Sequence, residues 1–319
     1  MWDSSKIAYS YCPKNEPGKG SSMEIQRGLD FHMQNSVVSL GKFDGIHRGH
    51  RLLLERILKE EGISTVFTFG EMQGEQIYTE EEKRLLLERM GIQREVIFPF
   101  TEENKKMSPE QFVNEILWDK MDAQFICVGE DFRFGNKRAG DVQFLRKACG
   151  EHGCRLQVYP KLEDEQGIIS STRIRELIRE GDMKQAAKLL GEPWFFLGEV
   201  QHGRALGRDM GMPTANIVPQ EGKILPPYGV YTAKVIVHGK SYYGVTNVGK
   251  KPTVGGSVVG LETCIFDFDQ DIYGEQIIVQ LLQFQRSERK FDSLEALQTQ
   301  MQADKKQAMN NATEWQDKL

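Results

Sequence analysis

Residues 35–50 read NSVVSLGKFDGIHRGH. An apolar run (Val37 and Val38, both β-branched, and Leu40) stops at Gly41. From Arg48 the apolar residues recur at helical spacing, with Leu52, Leu53, Ile57 and Leu58 on one face of a helix predicted over 48–61. The same strand–loop–helix unit repeats downstream: strands are predicted over 63–69, 95–100, 124–129 and 155–160. Helices are predicted between them, and their ends are signposted. Thr79 and Glu82 form a capping box for a helix over 79–90 that Gly91 stops, and Ser108 with Pro109 and Gln111 opens another. A further helix is predicted over 141–152, and two short ones over 172–179 and 183–190. Strands alternating with helices predict a parallel, doubly wound sheet, an architecture that receives ligands beyond the carboxyl ends of its strands.

After Gly191-Glu192-Pro193 the apolar period changes to two. Strands are predicted over 195–200, 229–237, 240–247, 261–267 and 276–284, with turn signals at His238-Gly239 and Tyr273-Gly274. This predicts an antiparallel β domain, a small barrel, ending in a polar helix from Ser293. Three segments are expected: a flexible extension over 1–22, an α/β domain over 23–191 and a β domain over 192–319, in keeping with a length of 319 residues. A 39% hydrophobic and 27% charged composition excludes disorder as the main class. The net charge of −5 and the mean hydropathy of −0.48 argue against nucleic-acid and membrane partners, and a homo-oligomer is left open. Five cysteines without a CxxC pair suit the cytoplasm better than a disulfide scaffold or zinc site.

Five motifs carry chemistry. His47 and His50, at i and i+3 from a helix N-terminus, point the same way. Backbone N–H groups and the dipole favour an anion there, and Gly45 and Gly49 let backbone approach it. This HxGH pattern reads as a triphosphate site; the alternatives are a zinc pair, for which no third ligand is near, and exposed loop histidines. In Ile169-Ser170-Ser171-Thr172-Arg173-Ile174-Arg175, hydroxyls cap a helix whose arginines oppose its dipole, which suggests an anionic partner. In residues 128–140, Phe132 and Phe134 alternate with charge and offer either a flat ring site or a core anchor, while Arg138 can meet phosphate. In residues 198–216, a glycine-rich loop (Gly203, Gly207, Gly211, with Arg204) can wrap phosphate through its N–H groups. Thr214 and Asn216, on one strand face, offer hard oxygens suited to Mg²⁺. Glu262 lies in an otherwise apolar strand and is either a base for a hydroxyl proton or an exposed-face carboxylate.

Together these residues resemble the bifunctional bacterial riboflavin kinase/FMN adenylyltransferase family, the FAD synthetases. GKFDGIHRGH, VGEDFRFGNKRAG and ISSTRIR match its nucleotidyltransferase half. GEVQHGRALGRDMGMPTANI, PPYGVY, NVGKKPT, LETCIFDFDQDIYGE and the RxExxF-like run Arg286 to Phe291 match its six-stranded kinase barrel. The resemblance implies that riboflavin is phosphorylated to FMN by one half and FMN adenylylated to FAD by the other, with ATP and Mg²⁺. It implies His47, His50, Arg175 and Glu262 as catalytic residues. It implies Gly41, Phe43, Asp44, Gly45, Gly49, Ser171, Thr172, Arg173, Gly203, Arg204, Gly207 and Gly211 for ATP. Asp131, Phe132, Phe134, Arg138, Asn247 and Arg286 would serve the flavin, and Thr214 and Asn216 the metal. Two departures stand out. Where the family reads close to TF-x-PHP, this chain has Thr68-Phe69-Gly70-Glu71-Met72, and Cys264 stands where a His is usual. A kinase with an altered adenylyltransferase half, and a non-catalytic flavin-binding module, are the competing readings.

Overall fold

The computed structural model describes residues 22–70, 74–202, 214–253 and 256–316. The chain divides into two compact units between Ile174 and Arg175.

In the first unit six strands, β1 (Glu24–Arg27), β2 (Ser36–Leu40), β3 (Ile63–Phe69), β4 (Arg94–Phe98), β5 (Ala123–Gly129) and β6 (Arg155–Tyr159), form one sheet in the order β1-β4-β3-β2-β5-β6. Every pairing is parallel, as the alternation of strands and helices predicts. β1 went unseen because its sequence, EIQR, holds a single apolar residue on an exposed edge. The chain winds outward from β2 through β3 to β4, then crosses to β5 and β6. The strand order therefore reverses beside β2, and the connection leaving β2 opens at the switch point where such sheets bind ligands.

That connection leads into α1 (Arg48–Ile57), which buries Leu53, Leu54 and Ile57 and ends sooner than its apolar spacing predicts. α2 (Glu80–Met90) has the expected capping box and a left-handed Gly91 at its end. Lys83 on α2 makes a buried ion pair with Glu95 on β4, 2.9 Å apart. α3 (Pro109–Gln111) opens on the predicted Ser108 box and widens into a π-helix over Phe112–Lys120, shown by Met121 N donating to Ile116 O at 3.0 Å. That segment turns Phe112, Ile116 and Leu117 into a core with Val38, Leu40, Phe67, Val96 and Ile126. α4 (Val142–His152) is capped by Asp141. A short hairpin, β7 (Glu163–Asp164) with β8 (Gly167–Ile168), precedes α5 (Ser171–Glu180), within which the two units divide.

The second unit holds α6 (Met183–Leu190), then β9 (Phe195–Glu199), β10 (Thr214–Ile217), β11 (Gly229–Val237), β12 (Lys240–Thr253), β13 (Gly256–Ile265) and β14 (Gln276–Ser287), and last α7 (Leu294–Gln316). The strands form one antiparallel sheet in the order β10-β13-β12-β11-β14-β9. Its two edges meet, since Gln201, just past β9, donates N–H to Asn216 O on β10 at 2.8 Å. The sheet thus curls on itself, as a small barrel should. His238 (φ 48°) and Gly239 (φ 75°) both take the left-handed conformation that a two-residue hairpin turn requires. β12 and β13 run further than predicted, because their pairing continues through Lys250, Lys251 and Pro252, residues whose composition suggests a loop. α7 lies on β11 and β12, with Ala308, Ala312 and Trp315 buried and Asn311 donating to the Thr232 hydroxyl at 2.9 Å.

Candidate functional site

The connection after β2 visits the left-handed region three times, at Phe43 (φ 50°), Gly45 (φ 91°) and Ile46 (φ 40°). For a bulky or β-branched side chain that conformation costs of order 1–3 kcal/mol and needs support from its surroundings. The support is visible. Phe43 and Ile46 are fully buried. Asp44 Oδ1 accepts from Ile77 N at 3.0 Å, Asp44 O accepts from the Ser171 hydroxyl at 2.7 Å, and Arg51 Nε donates to Ile46 O at 3.2 Å. The glycines have local reasons of their own: a Cβ at Gly45 would come within 2.9 Å of Ile77 Cδ1, and one at Gly49 within 3.2 Å of the His47 ring. Gly41 leaves β2 with its N–H on Phe67 O at 3.1 Å, and a Cβ there would come within 3.2 Å of the Phe43 ring.

His47 caps α1: its Nδ1 accepts from His50 N at 3.4 Å, which puts the proton on Nε2. The two imidazoles stack with centroids 3.7 Å apart, and Phe43 meets His50 edge-on at 5.3 Å. Burial pushes the pKa of His47 down to about 4, and burial together with the adjacent His47 holds His50 well below the usual imidazole range. Both rings are therefore neutral donors at pH 7. His50 Nδ1 is buried without a hydrogen-bond partner. Leaving such a group unpaired costs roughly 1–3 kcal/mol, which an anionic ligand's oxygen would recover.

At the start of α5, Ser170 Oγ accepts from Arg173 N at 3.3 Å, the cap its sequence predicts. Thr172 is exposed. Arg173 is committed to the preceding hairpin: it donates to both oxygens of Asp164 at 2.7 and 3.0 Å, to Gln166 Oε1 at 2.8 Å and to Gly167 O at 3.2 Å. That guanidinium holds the Asp164 carboxyl below its ordinary pKa. Arg175 is half-buried and lies beyond the division between the units. In the loop after β5, Phe132 and Phe134 stack at 5.6 Å and are buried among Phe112 and Phe144, with Gly140 pressed against the Phe134 ring. Asp131 pairs with Lys161 at 3.1 Å, and Arg138 is exposed on a left-handed backbone (φ 60°).

The barrel brings another group together by register alone. Asn247 on β12 lies opposite Glu262 on β13, which lies opposite Asn216 on β10. Two residues along β10, Thr214 faces Cys264 and shares the face of Asn216. Glu262 is exposed and Asn216 nearly buried. Lys251, four residues beyond Asn247 on the same face of β12, reaches back along the strand. Its Nζ donates to Asn216 Oδ1 at 2.6 Å and to Leu261 O at 3.4 Å, and stands 3.2 Å from Glu262 Oε1. Asn216 Nδ2 turns the other way, to Thr214 O at 3.3 Å. Asn247 donates to Glu288 Oε1 at 3.0 Å, while Arg286 is held by both oxygens of Asp304 on α7, at 3.0 and 2.6 Å. The fit to a divalent cation can be judged from these donors. The Asn216 amide and Thr214 hydroxyl are hard oxygens, and the place beside Asn216 Oδ1 already receives a cation, the Lys251 ammonium. Among the described residues no cluster of three or more His, Cys, Asp or Glu could hold a metal, so phosphate and water oxygens would complete the shell. Gly203, Arg204, Gly207 and Gly211 lie outside the described residues, as do residues 1–21 and 71–73.

Two family models match the chain along its length: FAD synthetase over residues 30–173 and riboflavin kinase over 190–312. A bifunctional riboflavin kinase/FMN adenylyltransferase of Pseudomonas fluorescens is 35% identical over 88% of this chain and 96% of its own length. This chain belongs to that family. The enzyme of the same name from Bacillus subtilis (strain 168) is 33% identical over 86% of this chain and 92% of its own length. A crystal structure from Streptococcus pneumoniae, described as a macrolide-efflux protein, superimposes with a TM-score of 0.80 at 33% identity, over 90% of this chain and 99% of that one. No helix among the described residues is long and apolar enough to cross a membrane. As a member of this bifunctional family, the chain is an enzyme of FMN and FAD biosynthesis.

Sequence reasoning gave no role to Lys251 and Glu288, although they lie in the NVGKKPT and RxExxF-like runs, and it missed Asp304. Lys251 left a usable signal, its even spacing from Asn247 in a strand. Asp304 left none, because only the packing of α7 selects it from a polar helix.

Proposed function

We propose that residues 192–319 transfer the γ-phosphoryl group of ATP to the riboflavin 5′-hydroxyl, and that residues 23–191 then adenylylate FMN. In the first reaction the hydroxyl oxygen bonds to the γ-phosphorus as the bridge to the β-phosphate breaks, ADP leaves, and Glu262 takes the hydroxyl proton. Thr214 and Asn216 would hold Mg²⁺, which when bound neutralises phosphate charge. The rest is alignment: Asn247 and Arg286 flank the flavin side, and Gly203, Arg204, Gly207 and Gly211 cover the phosphates. The observation that carries this reading is the row Asn247–Glu262–Asn216, which sets a carboxylate beside a cation-accepting amide oxygen.

In the second reaction a phosphate oxygen of FMN bonds to the α-phosphorus of ATP and pyrophosphate leaves, so no covalent enzyme intermediate is needed. The neutral His47 and His50 donate N–H to the triphosphate, Arg175 adds charge, and Gly41, Phe43, Asp44, Gly45 and Gly49 shape the loop. Ser171, Thr172 and Arg173 serve the same side, Arg173 by fixing the hairpin before α5. Asp131 and Arg138 border the flavin, and Phe132 and Phe134, buried in the core, anchor the loop that carries them. The substrates are small molecules in the cytoplasm, with no nucleic-acid or membrane partner. Chromatography of flavins after incubation with riboflavin, ATP and Mg²⁺ tests the whole: FMN and FAD together are expected, FMN alone would remove the adenylyltransferase half, and neither would overturn the proposal.

A further inference from the structure

The barrel site contains a cation of its own. The Lys251 ammonium bridges the Asn216 amide oxygen and the Glu262 carboxylate, two groups that neighbouring strands deliver in register. Its side chain is partly buried, 24% exposed beside a Glu262 that is 45% exposed. Its stem has room only because residue 260 is glycine: a Cβ there would lie 2.7 Å from both Cδ and Cε of Lys251. The ammonium also decides which end of the Asn216 amide faces the site, since Oδ1 accepts from it while Nδ2 is sent to Thr214 O. An amide oxygen at 2.6 Å from an ammonium has no room for a divalent ion on the same side, and two cations sharing that oxygen would repel strongly.

Resting on the proposed role of Asn216 and Glu262, we infer that Lys251 is a positioning residue that stands in for the divalent cation while the kinase site is empty. It holds the metal-facing oxygen of Asn216 and the carboxylate of Glu262 in place, and it gives up Asn216 Oδ1 when metal and nucleotide bind. The stand-in keeps two polar groups satisfied in the empty site and opposes occupation by metal alone, so that nucleotide and metal must arrive together.

The test uses the full chain and Mn²⁺ alone, followed by electron paramagnetic resonance without nucleotide. Lys251→Met should bind Mn²⁺ about tenfold more tightly than the wild type, the gain from removing one competing charge at a half-exposed site. The Mg²⁺ concentration for half-maximal FMN formation should fall in parallel, and Lys251→Arg should restore the wild-type dependence. Gly260→Ala supplies a second variant that keeps the lysine but pushes its stem aside, and it should shift Mn²⁺ binding in the same direction. The tightened site should vanish when Asn216→Ala is added to Lys251→Met. Thermal unfolding of the barrel unit, compared with the wild type, reports that each variant is folded. Unchanged Mn²⁺ affinity and unchanged Mg²⁺ dependence in both Lys251→Met and Gly260→Ala would overturn the inference. Failure of the underlying assignment looks different: FMN formation would then survive Asn216→Ala and Glu262→Gln.

Discussion

The two candidate sites prepare for phosphate in opposite ways. The one after β2 is buried and strained, and its histidines are neutral: three left-handed residues, two stacked imidazoles and an unpartnered ring nitrogen. The one on the barrel is unstrained and charged, with Glu262 and Lys251 standing on the faces of regular strands and Glu288 just past the end of β14. The first stores its organisation in the backbone, so its donors need no reorganisation when the triphosphate arrives. The second stores its organisation in strand register and exchanges one cation for another. A loop can be over-determined only by its surroundings, whereas a strand row is set by pairing. The two sites should therefore fail for different reasons.

The largest separation is expected from Glu262→Gln. It keeps the size of the side chain and removes the proposed base, so FMN formation should fall by roughly 10²–10⁴-fold while FAD formation from supplied FMN stays at wild-type rate. Loss of both activities would mean that the sites are not independent. His50→Ala is the mirror image: FAD formation should drop about 10²-fold or more with kinase turnover kept, and an unaffected FAD rate would remove His50 from the site. Next comes Asp304→Ala. It strips the buried carboxylate from Arg286, which should cost the barrel unit about 3–5 kcal/mol in thermal or denaturant unfolding. A change within 0.5 kcal/mol, the usual range for a surface substitution, would show that the pair is no tie between β14 and α7.

Acid should strike the two units unequally. The pKa of His47 is lowered from an ordinary 6.5 to about 4, so the unfolded chain binds its proton first as pH falls. The stability due to this neutral imidazole is whole above pH 6.5 and is lost progressively between 6.5 and about 4. At about 1.4 kcal/mol per pH unit, that loss approaches roughly 3 kcal/mol. Urea unfolding of the first unit, followed over that window, should show the loss in wild type and a smaller one in His47→Asn. An equal pH slope in both would exclude the imidazole as the cause.

The fold was legible where local chemistry and tertiary need agree. The Thr79–Glu82 and Ser108–Gln111 boxes mark helix starts that the structure keeps, and apolar runs mark β2, β3 and β5. It was illegible where pairing overrides composition: β1 has one apolar residue, and β12 runs through Lys250-Lys251-Pro252 because β13 pairs with it. The sites followed the same divide. His47, His50, Asn216 and Glu262 announce themselves by type and spacing. The even spacing of Lys251 from Asn247 places it on the right face but does not seat its ammonium on Asn216, and the seating of Arg286 on Asp304 depends on long-range geometry that no spacing encodes.

Gly45→Ala should give the smallest effect and the sharpest discrimination between a strained site and a registered one. Gly45 sits at φ 91°, where alanine is disfavoured by about 1–2 kcal/mol, and its new Cβ would meet Ile77 Cδ1 at 2.9 Å. Ile77 cannot retreat freely, because it is fully buried and its N–H is held by Asp44. The strain must then be relieved through the loop, moving His47 relative to the triphosphate. A displacement well under an ångström is enough to spoil alignment in a site that relies on fixed donors. FAD formation should therefore slow about tenfold or more while unfolding free energy falls by only about 1–3 kcal/mol. The counterpart on the barrel, Gly260→Ala, meets only the flexible stem of Lys251 and should leave stability nearly unchanged. If the two glycines cost the same in unfolding, backbone strain is not what distinguishes the loop after β2 from the strands of the barrel.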